Sequence, residues 1–307
     1  MRIFLTGATG YIGSAVLDAL VRGGHEVTAL VRDHNKAARV AARGGKPVVG
    51  NLADPNSLRA GAEAQDGYIH TAYDSTSSGG PKVERAALEV VVAAAKRRRT
   101  DGAKAPDKRF IIYTSGVWVL GRAPEPVAED APTNPVAVVE WRPEHEQFII
   151  SAATPRLRTI VIRPGIVYGG GHGIVGDLFK SASNGLVRVV GDGTNHWPLV
   201  YDRDLADLYA RLAGDNEAAG IYHANDEGDE RVNDIVAAIS PYLPVRPDVR
   251  HVPIDEARAK MGDFADALAL DQVVRSPRAR ALGWTPALRS VAGNAARLLE
   301  EWRASRT

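Results

Sequence analysis

The chain has 307 residues with 38 basic and 37 acidic side chains, a formal net charge of +1. A balance this even supplies no global field to draw the protein onto nucleic acid or a membrane surface. There is no cysteine, which excludes a disulfide framework, a thiolate nucleophile, an iron–sulfur cluster and a cysteine-ligated zinc site.

The opening MRIFLTGATG runs straight into an apolar strand, without the basic segment, long apolar run and small-residue cleavage site of a secretory leader, which points to the cytoplasm. Continuous apolar runs at 2 to 6, 26 to 31, 47 to 50, 67 to 72, 109 to 114 and 158 to 163 predict strands covered on both faces. Helical periodicity at 12 to 22, 35 to 43, 57 to 65, 82 to 98 and 141 to 152 separates them. Strand and helix in regular alternation predict an α/β fold, a Rossmann doubly wound parallel sheet with a small C-terminal substrate lobe. The dinucleotide-binding domain is expected over 1 to 165, with 191 to 213 returning to it, and the substrate lobe mainly over 166 to 307. The basic run Lys96-Arg97-Arg98-Arg99 ends the helix at 82 to 98, where cations complement the helix dipole. The apolar run before it is far shorter than a membrane span.

The strongest chemical signal is Gly7-Ala8-Thr9-Gly10-Tyr11-Ile12-Gly13, between the first strand and the helix it opens. Glycines at these spacings permit a tight turn, close approach of backbone to a pyrophosphate and close packing of helix on strand. After the second strand come Arg32, Asp33, Asn35 and Lys36. Two cations there suit the 2′-phosphate of NADP, with Asn35 between them, while Asp33 keeps NAD open. Histidines 172, 196, 223 and 251 are scattered without metal-ligand spacing, so no metal is expected.

GATGYIG at 7 to 13, GNLAD at 50 to 54, DGYIHTA at 66 to 72, YTSGVWVLG at 113 to 121, RPGIVYG at 163 to 169, WPLVYDRDLA at 197 to 206 and ARALGWTPA near the end form an ordered set. Together they resemble the extended short-chain dehydrogenase/reductase superfamily, in its NAD-dependent epimerase/dehydratase and 3β-hydroxysteroid-dehydrogenase-like branches. The resemblance implies Asn51 and Leu52 near adenine, Thr71, Ala72 and Tyr73 near the ribose and phosphates, and Thr114, Pro164 and Gly165 on the nicotinamide side. It also implies a small-molecule substrate and a homodimer formed through helices such as 82 to 98 and 141 to 152. Nucleic acid and membrane partners are not expected.

The family's reductases carry a tyrosine that donates a proton, a lysine four residues on that binds the cofactor ribose, and a serine or threonine that orients the carbonyl. Here the tyrosine place falls on Trp141 and the lysine place on His145, and no tyrosine lies between Tyr113 and Tyr168. An indole N–H only hydrogen-bonds. The candidates for proton donor or carbonyl orienter are therefore Ser115, His145, Tyr168 and Tyr201, with His145 also a candidate for the ribose. Val117, Trp118, Leu120, Trp141 and Trp197 are expected to wall an apolar site. The leading expectation is NADPH-preferring reduction of a small or medium apolar carbonyl compound. A catalytically silent dinucleotide sensor and a nucleotide-sugar-type epimerase or dehydratase are the alternatives.

Overall fold

A computed structural model describes residues 1–73, 79–97 and 108–305. The chain divides into two compact units, the first formed by 1–115, 144–162 and 206–222 and the second by 116–143, 163–205 and 223–307. Relative to the expected boundaries, segment 116–143 goes to the second unit, and the returning segment joins the first only from Ala206 onward. The reason lies in packing within the second unit. Strand Ala123–Val127 pairs with Gln272–Val274, and Val117, Val119, Leu120 and Val139 bury themselves with Val274.

The first unit is built from β1 (Arg2–Thr6), α1 (Tyr11–Arg22), β2 (Glu26–Val31), α2 (His34–Ala41), β3 (Lys46–Val49), α3 (Pro55–Ala62), β4 (Gly67–His70), α4 (Gly80–Lys96), β5 (Arg109–Thr114), α5 (Arg142–Ser151), β6 (Leu157–Pro164), α6 (Asp202–Gly214) and β7 (Gly220–Ala224), the last residues of β6 and β7 and the first of α5 and α6 falling to the second unit. The sheet runs β3-β2-β1-β4-β5-β6-β7. The pairings among β1 to β6 are parallel. Parallel pairing explains the unbroken apolar runs, because helices cover both faces, and β6 is buried along its whole length. On one face Phe4, Tyr68, Ile111, Tyr113 and Val161 pack with Leu88 and Val91 of α4 and Ile149 of α5. Strand order reverses between β1 and β4, the switch point at which open α/β sheets present a crevice beyond their strand ends.

Element ends shift by one to three residues from their predicted places where a cap intervenes. Asp33 caps α2, its carboxylate accepting the Lys36 amide at 2.8 Å, so the helix starts at His34. Asp54 caps α3 in the same way. Arg98 and Arg99 of the basic run lie outside the described residues.

In the second unit, short strands pair as Ile166–Tyr168 with Leu199–Tyr201, Leu186–Val190 with Asp248–Val252, and His196–Trp197 with Glu230–Arg231. Helices Gly173–Ser183, Val232–Ile239 and Ala295–Ala304 close over them. Its core gathers Tyr168, Phe179, Trp197, Tyr201, Ile235, Leu298 and Trp302.

Candidate functional site

A cleft of about 610 Å³ opens in the first unit where β1, β2 and β4 end. Gly7, Thr9, Gly10, Tyr11 and Ile12 line it from the first turn, Arg32 and Lys36 from beyond β2, Asn51 and Leu52 from beyond β3, and Thr71, Ala72 and Tyr73 from beyond β4. Gly50, Ala53 and Val83 line it as well, without having been singled out in the sequence.

The turn is glycine-dependent at two places. Gly7 has a φ of +80° and passes so close to β4 that a Cβ would sit 2.7 Å from the Ala72 amide. A Cβ on Gly13 would collide with the Gly7 carbonyl oxygen and the Thr71 hydroxyl, which identifies Gly13 as the packing glycine rather than a wall of the cleft. Gly10 precedes α1 without a side-chain cap. The first amides of that helix therefore have no side-chain acceptor from the capping position, and they carry the positive end of the helix dipole. This donor set fits a diphosphate.

Arg32 is exposed and Lys36 half-buried on the cleft rim, and no ion pair is recorded for either among the described residues. Asp33 and Asn35 are exposed and do not line the cleft. The Asn51 side chain is turned into its own loop, its Oδ1 accepting the Ala53 amide at 3.0 Å. Leu52 is left as the apolar member of that loop.

The candidate catalytic side chains are divided between the units, Ser115 and His145 in the first and Tyr168 and Tyr201 in the second. Ser115 is 6 % exposed and is not among the residues lining the cleft, and its Oγ has no hydrogen-bond partner among the described residues. Thr114 ends β5, with its Oγ1 donating to the His70 carbonyl at 2.7 Å and sharing a 2.6 Å hydrogen bond with the Tyr209 hydroxyl. It is held inside the unit and does not line the cleft.

His145 departs from its expected position beside the cofactor. It is 4 % exposed, its Nδ1 lies 3.3 Å from Glu84 Oε2, and it is not among the cleft residues. Glu84 also lies 3.6 Å from His70 Nε2 and accepts from the Tyr113 hydroxyl at 3.5 Å. Helix spacing placed His145 on a face shared with Trp141, yet that position is buried among α4 and the strands. Trp141 is half-buried beneath the Arg142 guanidinium, 4.5 Å from its ring centroid.

Tyr168 and Tyr201 are likewise engaged within the second unit. The Tyr168 hydroxyl donates toward Asp226 Oδ2 at 3.0 Å and the Leu288 carbonyl at 3.1 Å, and burial among carboxylates raises its pKa. The Tyr201 hydroxyl donates to the Glu301 carboxylate at 3.0 Å, and burial with that charge pushes it up to about 12. Gly165 donates its amide to the Ala224 carbonyl at 2.9 Å, and a Cβ there would sit 2.5 Å from the Pro198 oxygen. Pro164 ends β6, where the ring removes a ladder donor.

The expected apolar wall is also thinner than predicted. Val117 and Leu120 are buried in a core cluster. Trp197 is buried too, with its indole N–H donating to the Leu268 carbonyl at 3.0 Å. Trp118 alone of the four in this group keeps a partly open face, edge-on to Phe264 at 5.9 Å. Among the described residues no group of three or more metal-ligating side chains is present, and no helix is long and apolar enough to cross a membrane.

Known proteins share the sequence and the fold over most of this chain. A model of the NAD dependent epimerase/dehydratase family matches residues 3–224. An uncharacterised protein of Schizosaccharomyces pombe is 34% identical over 294 residues, covering 93% of this chain and 95% of its own. The 2-alkyl-3-oxoalkanoate reductase of Stenotrophomonas maltophilia is 29% identical over 261 residues, covering 78% and 76%. A human epimerase family protein solved with NADPH shares the fold, with a TM-score of 0.79 at 20% identity over 98% of this chain and 99% of that one.

Proposed function

This chain belongs to the NAD dependent epimerase/dehydratase family of dinucleotide-using enzymes, and we propose that it is an NADP-linked oxidoreductase acting on a small or medium apolar carbonyl compound. The observation that carries the cofactor preference is the pair Arg32 and Lys36 on the cleft rim, with the neighbouring Asp33 capping α2. A 2′-phosphate favours positive charge at this strand end, and a free ribose favours an acid. The 2-alkyl-3-oxoalkanoate reductase among the relatives supports the direction of reaction and a ketone borne on an alkyl chain.

When bound, NADPH would supply the hydride. The α1 amides would hold its diphosphate, and Arg32 and Lys36 its 2′-phosphate. The Ser115 hydroxyl, which follows β5 and has no hydrogen-bond partner among the described residues, would donate a hydrogen bond to the substrate oxygen as negative charge develops there. Trp141 has no transferable proton, and His145 is tied to Glu84. Water then delivers the proton to an oxygen that Ser115 has already stabilised.

The family's own description speaks more directly for a second reading, an epimerase or dehydratase that regenerates its cofactor in every turnover. One experiment separates the two. The purified protein is incubated with NADPH and 3-oxoacyl esters, ketones and aldehydes, and separately with NAD and nucleoside-diphosphate sugars. Net NADPH oxidation by an apolar carbonyl supports the reductase. Sugar conversion without net cofactor change supports the second reading. Dinucleotide binding with no turnover of either set refutes both.

A further inference from the structure

Val83 and Glu84 are consecutive on α4, and they face different surroundings. Val83 lines the cleft, whereas Glu84 is 2 % exposed and points into the interior of the first unit. Its carboxylate meets three elements: His145 of α5 at 3.3 Å, the Tyr113 hydroxyl of β5 at 3.5 Å and His70 Nε2 at the end of β4 at 3.6 Å. His70 continues the chain of contacts, its Nδ1 lying 2.9 Å from Thr6 Oγ1 at the end of β1. Thr6 and His70 are register partners, and the residues that follow them, Gly7 and Thr71, are walls of the cleft. A hydrogen bond of 2.8 Å from Thr71 Oγ1 to the Thr6 carbonyl closes the arrangement.

A buried carboxylate is a costly way to fill this space, and an apolar side chain of similar volume would pack without needing partners. What the carboxylate adds is direction. It fixes α4, α5 and the ends of two strands against one another at the point where the chain leaves the sheet to form the cleft. All of these contacts lie on the β1–β4 side of the cleft, away from Arg32 and Lys36, which follow β2.

We propose that Glu84 is a positioning residue for the cofactor, setting the part of the cleft that takes the diphosphate and nicotinamide half while leaving the adenosine half unaffected. The inference rests on the reading of the cleft as an NADP site. The test compares two ligands by calorimetry, NADPH and adenosine 2′,5′-bisphosphate, on wild type, Glu84→Leu and Glu84→Gln, with melting temperatures alongside. Loss of pre-organisation should weaken NADPH about tenfold or more in Glu84→Leu and leave the bisphosphate within about twofold. Glu84→Gln, which keeps an acceptor for Tyr113, should rescue part of the NADPH affinity.

A merely structural role would lower the melting temperature without separating the two ligands. Equal weakening of both, or no weakening of either, in a folded variant overturns the proposal. Should Glu84→Leu fail to fold, the same separation in Glu84→Gln decides. If wild type prefers NADH, the cofactor assignment fails, and the Glu84 comparison is then made with NADH and 5′-AMP. If wild type binds no dinucleotide, both ideas fall.

Discussion

Replacing Arg32 and Lys36 by alanine is the sharpest perturbation of the cofactor assignment, because both side chains line the rim and no ion pair is recorded for either among the described residues. Two unit charges about 4 Å apart interact by about 4 kcal/mol at an effective dielectric of 20 and about 1 kcal/mol in bulk water. Arg32 is exposed and Lys36 half-buried, so the lower part of that range applies. Taking about 1 to 1.4 kcal/mol for each, a single substitution should weaken NADPH about five- to tenfold, and the pair about 30- to 100-fold. NADH lacks the 2′-phosphate and should change by less than about threefold in the same variants, since its diphosphate is held elsewhere. Titrating each nucleotide into each protein measures the effect, and the wild-type preference for NADPH should shrink as salt rises toward the range where the Debye length is about 8 Å. Asp33→Asn serves as the control, because it keeps a capping oxygen for the Lys36 amide while removing a negative charge, and should leave NADPH binding equal or tighter. Equal losses for NADPH and NADH would refute the reasoning, as would a double variant that still discriminates between them.

Ser115→Ala should lower kcat about a hundredfold while leaving the NADPH dissociation constant unchanged, and an unaltered kcat would remove Ser115 from the reaction. Tyr168→Phe removes the hydroxyl shared by Asp226 and the Leu288 carbonyl, so denaturant unfolding should show a loss of about 1–3 kcal/mol. Turnover per folded molecule should stay near wild type, and a large loss of turnover at unchanged stability would make this phenol a proton donor after all. Burial raises the Asp226 carboxyl from 3.8 to about 7, so between those values the native state holds a proton that the unfolded chain has released. That contribution is complete below the unfolded pKa and is lost as pH rises through the folded one. Asp226→Asn has no such loss, and its melting temperature relative to wild type should climb between about pH 4 and pH 8; a constant difference across that window would exclude ionisation of Asp226 as the cause. Gly13→Ala should destabilise the fold by about 1–3 kcal/mol or prevent folding, because its Cβ would collide with backbone, and a variant of wild-type stability would show that the turn can relax.

The parts of the site that could be read from the sequence are those whose requirement is local. Gly7, Gly10 and Gly13 are dictated by a turn between one strand and the next helix, and Arg32 and Lys36 by their distance from the end of β2, so position along the chain nearly determines position in the cleft. His145 shows where such reading stops. Its spacing from Trp141 identified a helix face, but which neighbour fills that face depends on Glu84, 61 residues away. The hydroxyls of Tyr168 and Tyr201 find their carboxylate partners at similarly long range, since Asp226 and Glu301 lie 58 and 100 residues further on. A local trace of the buried network does exist. Glu84 interrupts the apolar stripe of α4 that includes Gly80, Ala87, Leu88 and Val91, and a carboxylate on the buried stripe of a helix requires polar partners wherever the fold brings them. The sequence at 80 to 91 therefore announces that a buried acid must be satisfied, while the identity of His70, Tyr113 and His145 as its partners emerges only when β4, β5 and α5 converge on α4. The histidine at the family's lysine position thus has a partner in the interior of the first unit, the Glu84 carboxylate of the neighbouring helix.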